Sequence, residues 1–103
     1  MAEGEKGRKL PEISWLDPAA MKALAEVSGT GARKYSPYNY RAGYNWSLSY
    51  NALFRHMNAF WDGEDIDPDD GQHHMASAAW HALQLLSASL RGVGNDDRYK
   101  GVE

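Results

Sequence analysis

The stretch SLSYNALFRHMNAFWDGEDIDPDDGQHHMASAAWHALQLLSASL, residues 47–90, reads as two helices around an acidic turn. In its first part Tyr50, Leu53, Phe54, Met57, Phe60 and Trp61 recur at helical spacing, with Ser47 placed to cap the start and Gly63 to end it. A helix is expected over about 47–61. In its last part Met75, Ala79, Ala82, Leu83, Leu86 and Leu90 mark the inward face of a helix over about 71–90, with Asp69 or Asp70 as its cap. Between the two, Asp62, Glu64, Asp65, Asp67, Asp69 and Asp70 fill six of nine positions.

Outward from this pair, Asp17-Pro18 is an N-cap followed by proline at the first helical position, and Leu16 can staple against Met21. Met21, Leu24, Ala25 and Val27 give one apolar face, and Gly29 and Gly31 are expected to stop a helix over about 18–28. Residues 31–46 hold Tyr, Asn, Pro, Gly and Arg without helical period and read as a long aromatic, cationic loop. No strand-like alternation and no internal repeat occurs. The expected fold is all-α, a small bundle of three main helices completed by oligomerisation. One domain is expected over 10–91, between a flexible N-terminus, 1–9, and a flexible C-terminal tail, 92–103.

Composition bounds the rest. With 103 residues, 43% of them hydrophobic, and a net charge of −3, the chain supports one core. A domain of this size buries only about two-thirds of its unfolded surface, so a homo-oligomer, dimer or tetramer, is expected. The absence of cysteine excludes a disulfide framework, a thiolate nucleophile and Cys-based zinc sites. The start of the chain lacks the apolar run of a signal peptide, and no window approaches the roughly 18 apolar residues of a membrane span. A soluble, cytoplasmic protein without a membrane partner is expected.

All four histidines, His56, His73, His74 and His81, fall in or beside the acidic block. A histidine on a helix is more often half-exposed or core-bonded than a ligand, yet here the clustering points to a metal. His56 has Ala52 and Ala59 at i−4 and i+3, and His74, Ala78 and His81 share a face of the last helix, so the helices can approach closely. If they are antiparallel, His56, the loop carboxylates and His74 converge at one end of the bundle. Imidazole with carboxylate suits Mn²⁺, Fe²⁺ or Zn²⁺, and the carboxylates alone suit Mg²⁺. A calcium loop is excluded, because the D-x-D-x-D run from Asp65 has Asp70 where glycine is needed and Ala76 where a bidentate glutamate belongs.

The loop from Arg33 to Trp46 interleaves cations with rings: Arg33, Lys34 and Arg41 among Tyr35, Tyr38, Tyr40, Tyr44 and Trp46. Cations answer phosphates and rings stack on bases. The acidic block repels a nucleic-acid backbone, which disfavours nucleic acid and leaves a single nucleotide as the better guest.

The ordered motifs Gly31-Ala32-Arg33-Lys34-Tyr35, Asn39-Tyr40, Arg55-His56, Gly63-Glu64-Asp65-Ile66-Asp67-Pro68 and Gly71-x-x-His74 resemble the phage dATP/dGTP diphosphohydrolase N-terminal family, to which MazZ-type enzymes are related. The resemblance implies a MazG-like helical domain. It also implies metal-dependent hydrolysis of a purine deoxynucleoside triphosphate between the α- and β-phosphates, giving monophosphate and pyrophosphate in phage nucleotide metabolism. For a phage-encoded chain the setting is the host cytoplasm. Carried over by position, His56, Glu64, Asp67 and His74 are the implied metal ligands for Mg²⁺, Mn²⁺ or another transition metal. Asp65 and Asp70 are the carboxylates able to orient the attacking water. Arg33, Lys34 and Arg55 are implied phosphate contacts, and from the aromatic loop Tyr35, Tyr40 or Trp46 is expected to stack on the base.

Three positions depart from the pattern: Asp70 in place of serine, Tyr40 in place of tryptophan, and His81 in place of asparagine or another small polar residue. The E-x-x-E helix of standard MazG enzymes is also missing, since Glu26 is alone on the first helix. Two other readings stay open from sequence: a non-catalytic module that binds a nucleotide or single strand, and a structural phage protein whose helices serve only packing.

Overall fold

The computed structural model describes residues 11–34 and 43–100, with the side chains of 31–34 outside the description. A single 3-10 turn, Ile13–Trp15, precedes three helices: α1 (Pro18–Lys34), α2 (Trp46–Trp61) and α3 (His74–Arg91). Both α1 and α2 pack on α3. The architecture is the all-α, three-helix bundle expected from the hydrophobic periods.

Helix α1 starts where Asp17 predicts, its Oδ2 accepting the Ala20 N–H at 3.0 Å. It does not stop at Gly29 or Gly31 but runs on to Lys34. A glycine in a helix interior costs only about 1 kcal/mol relative to alanine, which tertiary contacts readily offset. Here α3 supplies them: Trp80 Nε1 donates to Ser28 Oγ at 3.1 Å, and Gln72 Nε2, just before α3, donates to Thr30 Oγ1 at 3.2 Å.

Helix α2 begins at Trp46, with Asn45 rather than Ser47 in the cap position and no side-chain cap of its own. The cap comes from far along the chain. Asp97 accepts the Ser47 N–H at 2.9 Å and its hydroxyl at 2.5 Å, placing a carboxylate on the positive end of the helix. Residues 93–95 hold it there: Trp46 N–H donates to Asn95 O, Asn95 N–H to Tyr44 O, and Trp46 Nε1 to Val93 O at 3.1 Å. The two strands of this crossing touch at Gly43 and Gly94, both at positive φ; a Cβ on Gly94 would lie 2.6 Å from Tyr44 O. Part of the segment 92–103, expected as a tail, is thus hydrogen-bonded to the start of α2.

Helix α3 begins at His74, later than expected, and its cap is His73, whose Nδ1 accepts the Met75 N–H at 3.0 Å. Asp69 and Asp70 do not cap it. The Asp70 carboxylate closes a local turn onto Gln72 N–H, as Asp67 does onto Asp69 N–H. Gly92, at φ 67°, ends α3 in the left-handed conformation, with Val93 N–H returning to Ala88 O.

The interior is built of small residues. Ser49 and Ala52 of α2, Ala76, Ser77, Ala78 and Ala88 of α3, and Val27 of α1 are buried, together with His74. This corrects the expected inward face of α3: Met75, Leu83, Leu86 and Leu90 are exposed, Leu90 to 78%. Tyr50, Phe54, Met57 and Trp61 of α2 are exposed too, Trp61 to 85%. The small face wins the helix contact because alanine and serine let two backbones come closer than leucine does. No helix of the described residues is long and apolar enough to cross a membrane.

Candidate metal centre

The acidic turn between α2 and α3 is tied down by its own backbone. His74 N–H donates to Asp65 O, Asp67 N–H to Gln72 O, and Gly71 N–H to Asp67 O, each at 2.8 Å. Gly71 takes φ +75° to close it. The result fixes Asp67 over the end of α2, opposite the first residue of α3.

His56 and His74 meet there across the helix pair, Nδ1 to Nδ1 at 2.9 Å. Asp67 Oδ2 stands 3.9 Å from His56 Nδ1. One ligand atom from each of His56, Asp67 and His74 lies within 4.8 Å of the others, a grouping able to hold a divalent metal. His74 is buried, and the side chains of His56 and Asp67 are each 14% exposed, so the site is reachable from one side. Two imidazoles with one carboxylate fit Mn²⁺, Fe²⁺ or Zn²⁺ better than Mg²⁺, which prefers oxygen ligands.

Glu64 is not part of the triad. Its Oε1 lies 2.7 Å from His74 Nε2, the nitrogen pointing away from His56. A carboxylate accepts, so His74 carries its proton on Nε2 and turns an open lone pair at Nδ1 toward the cluster, the arrangement found behind metal-bound histidines. At the His56–His74 contact His56 Nδ1 is then the donor. Burial, followed by the charge of His74, lowers the His56 pKa below its ordinary 6.5, while the Asp67 carboxylate works the other way.

The other expected residues divide. Asp65 contributes its carbonyl to His74 N–H and its side chain is exposed. The Asp70 carboxylate is held by Gln72 N–H, close enough to raise the His56 pKa. Arg55 is exposed at the rim, and its charge lowers the pKa of both His56 and His81. Trp46 stands apart, ten residues and about 15 Å along α2 from His56. Arg98 covers its ring at 5.1 Å from the centroid, and with Tyr50, Leu86 and Tyr99 it lines a separate cleft of about 540 Å³. Arg33 and Lys34 close α1, their side chains outside the described residues, and Tyr35 and Tyr40 lie outside them altogether.

Over residues 1–98 the chain matches the family described as dATP/dGTP diphosphohydrolase, N-terminal. It belongs to that family. No curated protein and no solved structure matches it. In this dATP/dGTP diphosphohydrolase N-terminal domain the resemblance drawn from short motifs therefore holds over nearly the whole chain. Absent from those motifs is a half-buried row beside the triad. Tyr44 Oη lies 2.5 Å from Ser49 Oγ, which lies 3.1 Å from His81 Nδ1. The His81 ring stacks on His56, centroids 6.1 Å apart at 17°, and meets the edge of Trp80 at 4.9 Å. Burial, then the charges of His56 and Arg55, push its pKa down to about 4. The Ser49-to-His56 spacing of two helical turns is the signal in the sequence that places both on one face.

Proposed function

We propose that the chain is a metal-dependent diphosphohydrolase acting on a purine deoxynucleoside triphosphate, dATP or dGTP, and releasing monophosphate and pyrophosphate in phage nucleotide metabolism. The observation that carries this reading is the convergence of His56, Asp67 and His74 within 4.8 Å in a chain of this family.

The residues divide the work by position. His56, Asp67 and His74 hold the ion, and Glu64 sets the His74 tautomer that makes its Nδ1 a ligand. When bound, a divalent ion lowers the pKa of water from 15.7 to about 7 and offsets charge building on pyrophosphate. Asp70, fixed by Gln72 N–H at 3.0 Å, and Asp65, in the same turn, are the carboxylates left to orient that water and accept its proton. Arg55 at the rim, with Arg33 and Lys34 at the end of α1, binds phosphate oxygens. Incubation with each deoxynucleoside triphosphate and Mn²⁺ or Mg²⁺, followed by separation of the products, tests the reading: monophosphate plus pyrophosphate supports it, and diphosphate plus phosphate or no turnover contradicts it.

The partner of the exposed face is proposed to be a second copy of this chain. Tyr50, Phe54, Met57 and Trp61 on α2 and Met75, Leu83, Leu86 and Leu90 on α3 are all exposed, and Tyr50 and Leu86 line one cleft together with Asp97 and Arg98. Together these side chains expose on the order of 900 Å², close to the roughly 800 Å² that each partner of a stable complex buries. Sedimentation of the full chain tests it: a dimer or tetramer is expected, and a monomer at micromolar concentration contradicts it.

A further inference from the structure

Ser49 is the most deeply buried side chain of the described residues, 1% exposed, and it is polar. Its hydroxyl has one proton to give and sits between Tyr44 Oη and His81 Nδ1. A phenol, with a pKa of about 10, is the more acidic of the two hydroxyls and the better donor. Tyr44 therefore donates to Ser49 Oγ, and Ser49 passes its own proton toward His81 Nδ1. With Nδ1 accepting, the neutral ring carries its proton on Nε2.

That nitrogen makes no hydrogen bond to any described residue, and no buried side-chain nitrogen or oxygen among them lacks a partner, so Nε2 is not sealed from solvent. The ring itself is held on three sides: Ser49 at Nδ1, His56 against its face, and the edge of Trp80, itself bonded to Ser28 of α1. The charge of Arg55, next to His56 in the chain and exposed, is felt at both His56 and His81. An accessible, rigidly held N–H donor with a cation nearby is a place for an anionic oxygen.

We propose that His81 is a further ligand-contacting residue, its Nε2–H fixed by the Tyr44–Ser49 pair and donated to a phosphate oxygen of a ligand bound at His56, Asp67 and His74. The assignment rests on the metal-hydrolase reading of that triad. The 6.1 Å between the His56 and His81 rings is a span one phosphate group covers when two of its oxygens are each engaged at about 2–3 Å. Tyr44 and Ser49 are positioning residues, since they act only through the imidazole.

Two measurements test the proposal. Long-range ¹⁵N–¹H spectra of the full chain with ¹⁵N-labelled histidine, free of metal at about pH 7.5, above the ordinary imidazole pKa of about 6.5, are expected to show His81 as the Nε2–H tautomer; an Nδ1–H tautomer overturns the assignment. Calorimetry with Mn²⁺ pyrophosphate is expected to show H81L weakened by about tenfold or more, and H81Q, whose amide places an N–H near Nε2, within about threefold of wild type. An H81L chain that binds pyrophosphate as tightly as wild type overturns it. Co²⁺ absorption of the same samples separates this inference from the reading beneath it. Wild-type and H81L chains are expected to bind Co²⁺ alike; a wild-type chain that binds no Co²⁺ overturns the metal reading and the His81 role with it.

Discussion

His56 and His74 face each other through their Nδ1 atoms at 2.9 Å, while the far nitrogen of His74 is engaged by Glu64 at 2.7 Å. The two contacts do different work. The first belongs to a cluster able to hold an ion, and the second decides which nitrogen of His74 faces that cluster. Removing Glu64 should therefore weaken the metal without removing a ligand. E64Q is expected to lower Mn²⁺ or Co²⁺ affinity by about 10- to 100-fold, and H74A to abolish it. Titrations in which E64Q binds like wild type contradict the orienting role, and equal loss in both variants makes Glu64 a direct ligand.

The acid limb of stability follows from His81. Its folded pKa, about 4, lies below the 6.5 of the unfolded chain, so between those values the unfolded state binds more protons and stability falls as pH falls. His56, lowered in the same direction, adds to the effect. Denaturant midpoints measured from pH 7.5 to 4 should show H81Q less sensitive to acid than wild type through this window. Parallel curves contradict the neutral burial of His81.

The turn at Gly94 gives a test away from the centre. Gly94 sits at φ +80° with Tyr44 O where a Cβ would go. G94A is expected to cost about 1–3 kcal/mol and to release the Asp97 cap from Ser47. Urea denaturation reads the cost. A variant as stable as wild type shows that the crossing of 43–45 with 93–95 contributes little to the fold.

The exposed apolar stripe predicts its own disruption. F54K or L86K places a charge in the face proposed to meet a second copy, and either is expected to shift sedimentation toward monomer while helical circular dichroism is kept. An unchanged assembly places the interface elsewhere.

The three helices were legible because their apolar periods are strong, and the first also because its start signal is. Asp17 caps α1 as read, and the α2 boundary at Trp61 coincides with the expected end. Facing was not legible. Period alone marked Leu83, Leu86 and Leu90 as core, whereas close helix approach selected the alanine and serine face that carries His74 and His81. Caps failed where they were long-range: a carboxylate fifty residues away does for Ser47 what a local side chain was expected to do. At the site, His56, Asp67 and His74 were readable as a cluster because the acidic turn is short and both helices begin or end on it. That Glu64 meets the outward Nε2 of His74 was not, since which nitrogen a carboxylate reaches depends on a side-chain path that spacing leaves open. The Tyr44–Ser49–His81 row depends on burial, which spacing does not carry.

The triad is proposed to hold an ion that supports hydrolysis of a purine deoxynucleoside triphosphate. Its most direct test is turnover of dATP and dGTP by wild type and H74A, with Mn²⁺ and again after chelation, reading monophosphate and pyrophosphate. Pyrophosphate release by wild type that disappears both on chelation and in a folded H74A chain is the predicted result; release that survives either change contradicts the account.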